Sequence, residues 1–432
     1  MKILHFSTDD VRGGAAKAAY DLHRALRNAD VDSKMLVRFK HTVDDDDVVE
    51  VPLSRWAVRI GRLQQRLWHK KWQAVEGRSF DPNGNPGIDV GWLKQTGGWN
   101  ADVVAVHWVS GLLSVRTIRH IYDAWRLPIV MTLMDQSPVT GGCHYAWGCE
   151  GYRKSCGNCP QLVVSGPHDR SCQTLQEKKT LLSQLPLAFW CGSDRSSQMV
   201  KGSSLFSKRP VIRVSAPVNG EVFRPIDRGC ARQVLGLPQN DKIIMCGANM
   251  LDDERKGGRL IVEAFSALRK CLQTIEPSLV RRIKVLIVGW HGGVMSTRVP
   301  FETVALGYAR DERMLALAYQ AADMFVCSSV EDEGPVMIPQ AMMCGTPVVA
   351  FPTGSARELV RDGLSGVLCE NVDSGCLSEG ILKACMTEWN GSKKAELSKV
   401  VSAKYDARVV AREYLSGVEA FCESCRRQFR DE

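Results

Sequence analysis

The sequence predicts an α/β protein built from two consecutive doubly wound domains. Three observations predict this. The chain has 432 residues, more than one ordinary hydrophobic core accommodates. From residue 2 onward, short apolar runs alternate with segments of helical periodicity, the pattern of strand–helix–strand units and a parallel sheet. The same alternation starts again near Arg209, after a Pro-containing connection, "SKRPVIRVSAPVNG". The expected domains are residues 1–207 and 208–404, with a C-terminal helix at about 405–432 packing back on the first.

The elements follow in order. "KILHFST" is an apolar strand; "GGAAKAAYDLHRALRNAD" is a Gly-rich turn and a helix with Ala16, Ala19, Leu22, Ala25 and Leu26 on one face. Strands are expected at "DSKMLVRF", "DVVAVHWV", "PIVMTLMD" and "LAFWCGS". In the second series "KIIMCGANM", "IKVLIVGW", "MFVCSS" and "PVVAF" are strands. "KGGRLIVEAFSALRKCL", "RDERMLALAYQAAD" and "VMIPQAMMCG" are helices. The final helix carries Val409, Val410, Tyr414, Leu415, Val418 and Phe421 as its apolar residues. Two such domains in succession imply a deep cleft between them, with ligands at the carboxyl ends of the strands.

Composition narrows the function. The chain is 44% hydrophobic and 24% charged, as globular proteins are. No apolar run approaches the roughly 20 residues that span a bilayer. "MKILHFSTDD" lacks a signal-peptide pattern, so a cytoplasmic protein is expected, and its 16 cysteines read as reduced thiols or metal ligands rather than disulfides. A net charge of +8 suits an anionic ligand or an anionic membrane surface. Nucleic-acid binding is not expected, for no zinc-finger, RNA-recognition or helix-turn-helix signature occurs. A dinucleotide oxidoreductase is disfavoured, because neither domain has G-x-G-x-x-G after its first strand; "GGAAKA" offers only the pair Gly13–Gly14.

Two segments carry the chemistry. After "MFVCSS" a loop presents Glu331, Asp332 and Glu333, then Gly334 and Pro335, then a helix from about Val336 that carries Gln340. Carboxylates there suit sugar hydroxyls, the helix N-terminus suits phosphate, and Gln340 suits a further hydroxyl pair; a solvated acidic loop before a core helix has the same pattern. In "DDERKGGRL", Arg255 and Lys256 lie between a strand and a helix beside two glycines. Adjacent cations at a strand end can hold a diphosphate, or are ordinary surface charge.

Together these segments resemble the retaining glycosyltransferases of the GT-B fold, the group 1 family (GT4). The likeness lies in Lys256-Gly257, in "VALGYARDERMLALAYQAADMFVCSS", in Asp332 followed after seven residues by Gln340 and then "AMMCGTPVVA", and in "TGSARELVRDGLSGVL". "GGCHYAWGCEGYRKSCGNCPQL" resembles the subgroup that acts in bacterial exopolysaccharide and O-antigen assembly. The resemblance implies two Rossmann-like domains, the first on the acceptor side and the second binding the donor. It implies transfer of a sugar from a nucleotide-diphosphate donor to a glycan, polyprenyl-linked acceptor, with no cofactor for the chemistry. Asp332 would hold donor hydroxyls, with Glu333 and Gly334 beside it; Gln340 would hold the ribose. Arg255 and Lys256 would neutralise the leaving diphosphate, and Gly13 and Gly14 would let a loop approach it. Tyr308 and Gly289 would lie by the base. The family has a pair of acids where this chain has Asp332 and Gln340, and "T-L-H-D" where it has "TLMD", so Met134 replaces a His while Asp135 remains. These departures keep a second class in view, a catalytically silent sugar-nucleotide-binding protein.

Three further features each carry two readings. Cys143, Cys149, Cys156 and Cys159, spaced C-x5-C-x6-C-x2-C beside His144, form a candidate structural zinc site or a group of reduced thiols. "SRWAVRIGRLQQRLWHKKW" places Arg55, Arg59, Arg62, Arg66 and Lys70 along one helical face and Trp56, Ile60, Leu63 and Leu67 along another. That is a membrane-surface element at the inner face of the cytoplasmic membrane, or a helix packed on the core. His107, at a strand end, is either an acceptor-side group in the cleft or a satisfied structural histidine.

Overall fold

A computed structural model of the chain describes all residues except 55, 57, 61, 62, 64, 65, 67–71, 82, 85–87, 251 and 432. It divides into two compact units. One comprises Met1–Pro217 with Arg408–Glu432, the other Val218–Ala407.

The first unit is built on a seven-stranded sheet: β1 (Lys2–Asp9), β2 (Asp32–Phe39), β3 (Val48–Glu50), β4 (Val103–Val106), β5 (Ile129–Thr132), β6 (Leu187–Cys191) and β7 (Val211–Arg213). The strand order is β3-β2-β1-β4-β5-β6-β7, every pair parallel. Strands buried on both faces read as unbroken apolar runs, and β4, β5 and β6 are buried along their whole length. In β1 the side chains alternate. Leu4 and Phe6 enter the main core, while His5 and Ser7 are buried on the opposite face. Helix α1 (Gly14–Arg27) follows β1 and buries Ala16, Ala19, Leu22, Ala25 and Leu26, as its 3.6-residue periodicity requires.

The second unit has six parallel strands: β8 (Lys242–Met250), β9 (Ile283–Trp290), β10 (Glu302–Gly307), β11 (Met324–Cys327), β12 (Val348–Ala350) and β13 (Gly366–Leu368). Their order is β10-β9-β8-β11-β12-β13. Alternation splits each central strand between two cores. Ile243, Met245, Phe325 and Cys327 pack on one face of the sheet; Ile244, Cys246, Met324 and Val326 pack on the other, with helix α2 (Gly258–Ile275).

The junction lies ten residues beyond the expected boundary at 207/208. Val211 and Ile212 pair with Phe189 and Trp190 of β6, and the Trp190 indole donates to the Val214 carbonyl at 2.7 Å, so residues 208–217 complete the first sheet. The C-terminal helix α3 (Ala407–Asp431) lies against that edge: Tyr414 meets Trp190 edge-on with ring centroids 5.2 Å apart. Strands β3, β7, β10 and β13, which carry three to six residues each, fall outside the sequence reading. Apart from β7 and β10, whose runs were read as a connection and a family motif, nothing in their length sets them apart from loops.

One buried ion cluster ties the second unit together. Arg232 donates to Asp323 at 2.8 Å and to the carbonyls of Ala321 and Gln239 at 3.0 and 2.6 Å. Asp323 also accepts from Arg228 at 2.6 Å and from the Ile243 amide at 2.7 Å. Removing one partner leaves the other charge buried and uncompensated. Asp323→Ala should therefore cost about 3–5 kcal/mol, read as a lower urea midpoint for this unit; a loss under about 1 kcal/mol, the range of exposed pairs, would show the cluster to be dispensable.

Candidate functional site

The strand order of each unit reverses between two neighbouring parallel strands, β1 and β4 in the first and β8 and β11 in the second. The loops leaving their carboxyl ends therefore meet, and this switch point is where such sheets bind ligands. Gly13, Gly14 and His107 follow β1 and β4 at the first of these places, and Arg255, Lys256 and Asp332 follow β8 and β11 at the second.

In the second unit, β8 leads into a short 3-10 turn, Glu254–Lys256, and then into α2. The loop after β11 carries Glu331, Asp332 and Glu333, all buried. The two loops are laced together. The Arg255 carbonyl accepts from the Val330 amide at 2.7 Å, and the Lys256 carbonyl accepts from the Ser328 hydroxyl at 2.7 Å. Gly257, at φ +67°, lies so close to the Ser328 carbonyl that a Cβ there would stand 2.1 Å from its oxygen; only glycine fits. Across this seam the Lys256 ammonium donates to Asp332 Oδ2 at 2.5 Å. Burial alone would raise the Asp332 pKa, but the charge and hydrogen bond of Lys256, with the charge of Arg255, reverse this and hold the carboxyl below its ordinary value. The other Asp332 oxygen accepts from the Gly334 amide at 3.1 Å. Arg255 is held by Asp253 at 2.5 Å.

Gln340 lies in the helix Met337–Met343. Its side chain is buried, and its oxygen has no hydrogen-bond partner among the described residues. A buried amide left unpaired is costly, as expected of a group kept for a ligand. Tyr308, just past β10, stacks on Trp290 at the end of β9, with centroids 5.2 Å apart and planes at 12°. Trp290 is exposed, so the pair offers an aromatic platform. The sequence reading missed Trp290, although an aromatic closing "LIVGW" at a strand end was the available signal. Gly289 is explained by packing: a Cβ there would stand 1.9 Å from the Ala248 carbonyl oxygen of β8.

The helices add a second feature. Six helices of nine or more residues begin with a side-chain cap, from Ser114, Asp169, Ser193, Asp311, Asp373 and Asn390. The two that open at the switch points, α1 and α2, begin at Gly13 and Gly257 with no side-chain cap. Their first amides remain free of side-chain acceptors, the arrangement that binds phosphate.

In the first unit, Asp135 is buried below the switch point and lines a cavity with His107, Trp108, Met134 and Lys178. The Trp108 indole donates to Asp135 Oδ2 at 2.8 Å, the Ser137 amide donates to Oδ1 at 2.8 Å, and His144 Nδ1 lies 2.5 Å from Oδ2. Met134 takes no part in this network; His144, expected from sequence as a ligand or a neighbour of the cysteines, is the imidazole paired with the carboxylate. His107 is a structural histidine. It stacks on His5 at 5.1 Å, and its Nε2 and Nδ1 are engaged by His5 at 2.8 Å and Thr132 at 3.0 Å. Burial, then the charge of His23, pushes its pKa down to about 3, so it is neutral at pH 7.

Cys143, Cys149, Cys156 and Cys159 line one cavity, all as free thiols. Among the described residues no group of three or more His, Cys, Asp or Glu side chains stands gathered around one point as a metal centre. Of the basic segment, Arg55, Arg62, Leu67 and Lys70 lie outside the described residues. Trp56, Ile60 and Leu63 are 74%, 51% and 59% exposed, so these three are not packed on the core.

Residues 241–386 match the family model described as glycosyl transferases group 1. The second unit carries a group 1 glycosyl transferase domain. The chain is 29% identical over 192 residues to the D-inositol 3-phosphate glycosyltransferase of Geodermatophilus obscurus, a match covering 42% of this chain and only 41% of that protein. To the putative colanic acid biosynthesis glycosyl transferase WcaC of Escherichia coli it is 25% identical over 377 residues, 84% of this chain and 85% of that one. In fold it is similar to Anabaena HepE, solved in complex with UDP-glucose, at a TM-score of 0.65 and 17% identity, over 97% of this chain and 100% of that one. The fold is GT-B, and the group 1 domain spans the seam between β8 and β11.

The Asp135–His144 pair gives a pH signature. Burial would lower the His144 pKa, but the charge and hydrogen bond of Asp135 outweigh it and raise it above the ordinary value. A raised histidine stabilises the fold fully below its unfolded value, near pH 6.5, and that contribution is lost as pH rises through the folded pKa. NMR titration of the His144 ring should give a midpoint above about 6.5, falling below it in Asp135→Asn; an unchanged midpoint would show that Asp135 does not set it.

Proposed function

We propose that the chain is a retaining glycosyltransferase that moves a sugar from a nucleotide-diphosphate donor to a glycan acceptor in cell-surface polysaccharide assembly. The observation that carries this reading is the Lys256–Asp332 contact with Arg255 alongside, inside a group 1 domain. On this reading two cations and the uncapped start of α2 meet the diphosphate, and the carboxylate beside them takes the sugar hydroxyls. Gln340, neutral with an unpaired oxygen, suits a ribose. Trp290 and Tyr308 supply a stacking surface for a base. HepE was solved with UDP-glucose, so a uridine diphosphate sugar is the first donor to test. The similarity to WcaC, a putative glycosyl transferase of colanic acid biosynthesis, supports the polysaccharide assignment.

The chemistry follows from these groups. The bond from the sugar's anomeric carbon to the diphosphate breaks, and a bond to the acceptor oxygen forms on the same face. The acceptor's proton leaves with the diphosphate. What the protein supplies is stabilisation of the charge growing on the leaving phosphate, from Arg255, Lys256 and the amides of α2, with cationic side chains in place of a metal ion. Met134, standing where the family has a histidine, favours a second reading, a silent sugar-nucleotide binder, which binds donor but neither transfers nor hydrolyses it. A thermal-shift screen of UDP-, GDP- and ADP-sugars followed by a transfer assay separates the two. Lys256→Ala should bind nucleotide, keep its fold by circular dichroism and lose about 10²–10³-fold in kcat/KM; near-normal transfer by the variant would refute the assignment.

The acceptor side of the proposal is a lipid-linked glycan at the inner face of the cytoplasmic membrane. Its support is the exposed row Trp56, Ile60 and Leu63 within a segment of five basic positions. No helix among the described residues is long and apolar enough to cross a membrane, so attachment would be to the surface. The chain should co-sediment with anionic vesicles and not with neutral ones, and Glu at residues 55, 59, 62, 66 and 70 should abolish this; sedimentation insensitive to both changes would remove the membrane from the reading.

A further inference from the structure

The loop between β5 and β6 contains a group of thiols that the proposed transfer reaction does not use. Cys143 and Cys159 are buried, Cys149 and Cys156 half-buried, and all four line one cavity of about 20 Å³, room for a single water-sized guest. Cys149 and Cys156 lie on either side of Gly151, whose Cβ position is 3.5 Å from one sulfur and 3.8 Å from the other. No disulfide joins any of them.

The Gly151 amide donates to Cys149 Sγ at 3.4 Å. The buried Lys178 ammonium donates to the carbonyls of Ser137 and Thr140, and the Thr140 hydroxyl donates to the Cys143 carbonyl at 2.9 Å. The loop thus presents a backbone donor to sulfur, a contact that a thiolate accepts better than a thiol.

The backbone is shaped to the same end. Cys156, Gly157 and Asn158 take φ values of 53°, 90° and 47°, three successive residues in the left-handed region. Non-glycine residues hold that conformation only where their surroundings impose it, and such strain gathers at functional sites. Here the Gly157 amide is held by Ser171 at 2.9 Å, the Asn158 amide by the Gly166 carbonyl at 2.7 Å, and the Cys159 amide by Asp169 at 2.8 Å. The enforced turn brings both sulfurs of the C-x2-C pair to the cavity wall.

We propose that Cys143, Cys149, Cys156 and Cys159 bind one Zn²⁺ as a tetrahedral thiolate site. Binding forms four Zn–S bonds and releases four thiol protons to solvent; no electrons move. The sulfurs close inward on the ion from their positions around the cavity. Four thiolates suit zinc or an iron–sulfur cluster, and a cavity with room for one small guest selects the single ion. The site's role is structural: Cys143 precedes His144, so the metal anchors the loop that holds His144 on Asp135.

The test is metal analysis of the full-length chain purified under reducing conditions without chelator. The expected result is about one zinc per chain, released stoichiometrically by a mercurial thiol reagent, and a cobalt-substituted protein with intense thiolate-to-metal charge-transfer absorption. Cys149→Ser with Cys156→Ser should lower the zinc content at least tenfold, whereas Cys271→Ser, outside the cluster, should leave it unchanged. If the double variant fails to fold, the zinc content and cobalt spectrum of the unaltered chain decide alone. Any of three results overturns the proposal: no zinc after growth in zinc-replete medium together with no cobalt uptake, iron in place of zinc, or disulfide-bonded cysteines among these four.

Discussion

The constraint on which the rest depends is the pairing of β8 with β11 as adjacent parallel strands across a change in strand order. Parallel pairing sends both chains out of the same edge of the sheet. Reversal of the winding sends them toward opposite faces, so the two loops must share one small space. Everything at the candidate donor site follows from that crowding. The carbonyls of Arg255 and Lys256 are taken up by the opposite loop, Gly257 tolerates no side chain, and Lys256 and Asp332, 76 residues apart in sequence, end as an ion pair.

That ion pair is shielded, which gives it both value and cost. Burial works against the charged form of Asp332; the charges of Lys256 and Arg255 outweigh it and hold the carboxyl below its ordinary value, able to accept hydrogen bonds from hydroxyl groups. The same geometry keeps Lys256 fixed just before the start of α2, with Arg255 next to it in the chain. Binding charge by a rigid, partly dry arrangement requires little rearrangement when charge develops there. Gln340 fits the same logic. Its neutral amide adds no charge near a loop that already buries Glu331, Asp332 and Glu333, and it can accept or donate a hydrogen bond.

The first unit repeats the topology with different chemistry. Its switch point carries a polar stack of histidines, His5 and His107, held neutral by burial, and a charged pair, Asp135 with His144. The two imidazole environments differ for a plain reason. His107 shares hydrogen bonds with neutral partners, so burial, joined by the charge of His23, pushes its pKa down. His144 faces a carboxylate that has no other counterion in its hydrogen-bonding shell, so attraction outweighs desolvation. The cysteine loop that follows joins this pair to the remainder of the unit through Cys143.

Local patterns determined a good deal by themselves. Unbroken apolar runs, Gly-rich turns and helical periodicity are enough to place β1, β2, β4, β5, β6, β8, β9, β11 and β12 and to give two doubly wound sheets, because a parallel strand buried on both faces has a distinctive composition. The positions of Arg255, Lys256 and Asp332 in loops after strands, and of Gln340 in the helix that follows, were legible for the same reason. Partnership was not. That Lys256 would meet Asp332, that His144 would pair with Asp135, that both ring nitrogens of His107 would be engaged by His5 and Thr132, and that Trp290 would stack on Tyr308 depend on strand order and on contacts distant in sequence. The short edge strands and the junction at Pro217 were likewise decided by tertiary pairing, since three residues such as Val211–Arg213 carry too little local preference to mark a strand until Trp190 and the C-terminal helix close over them.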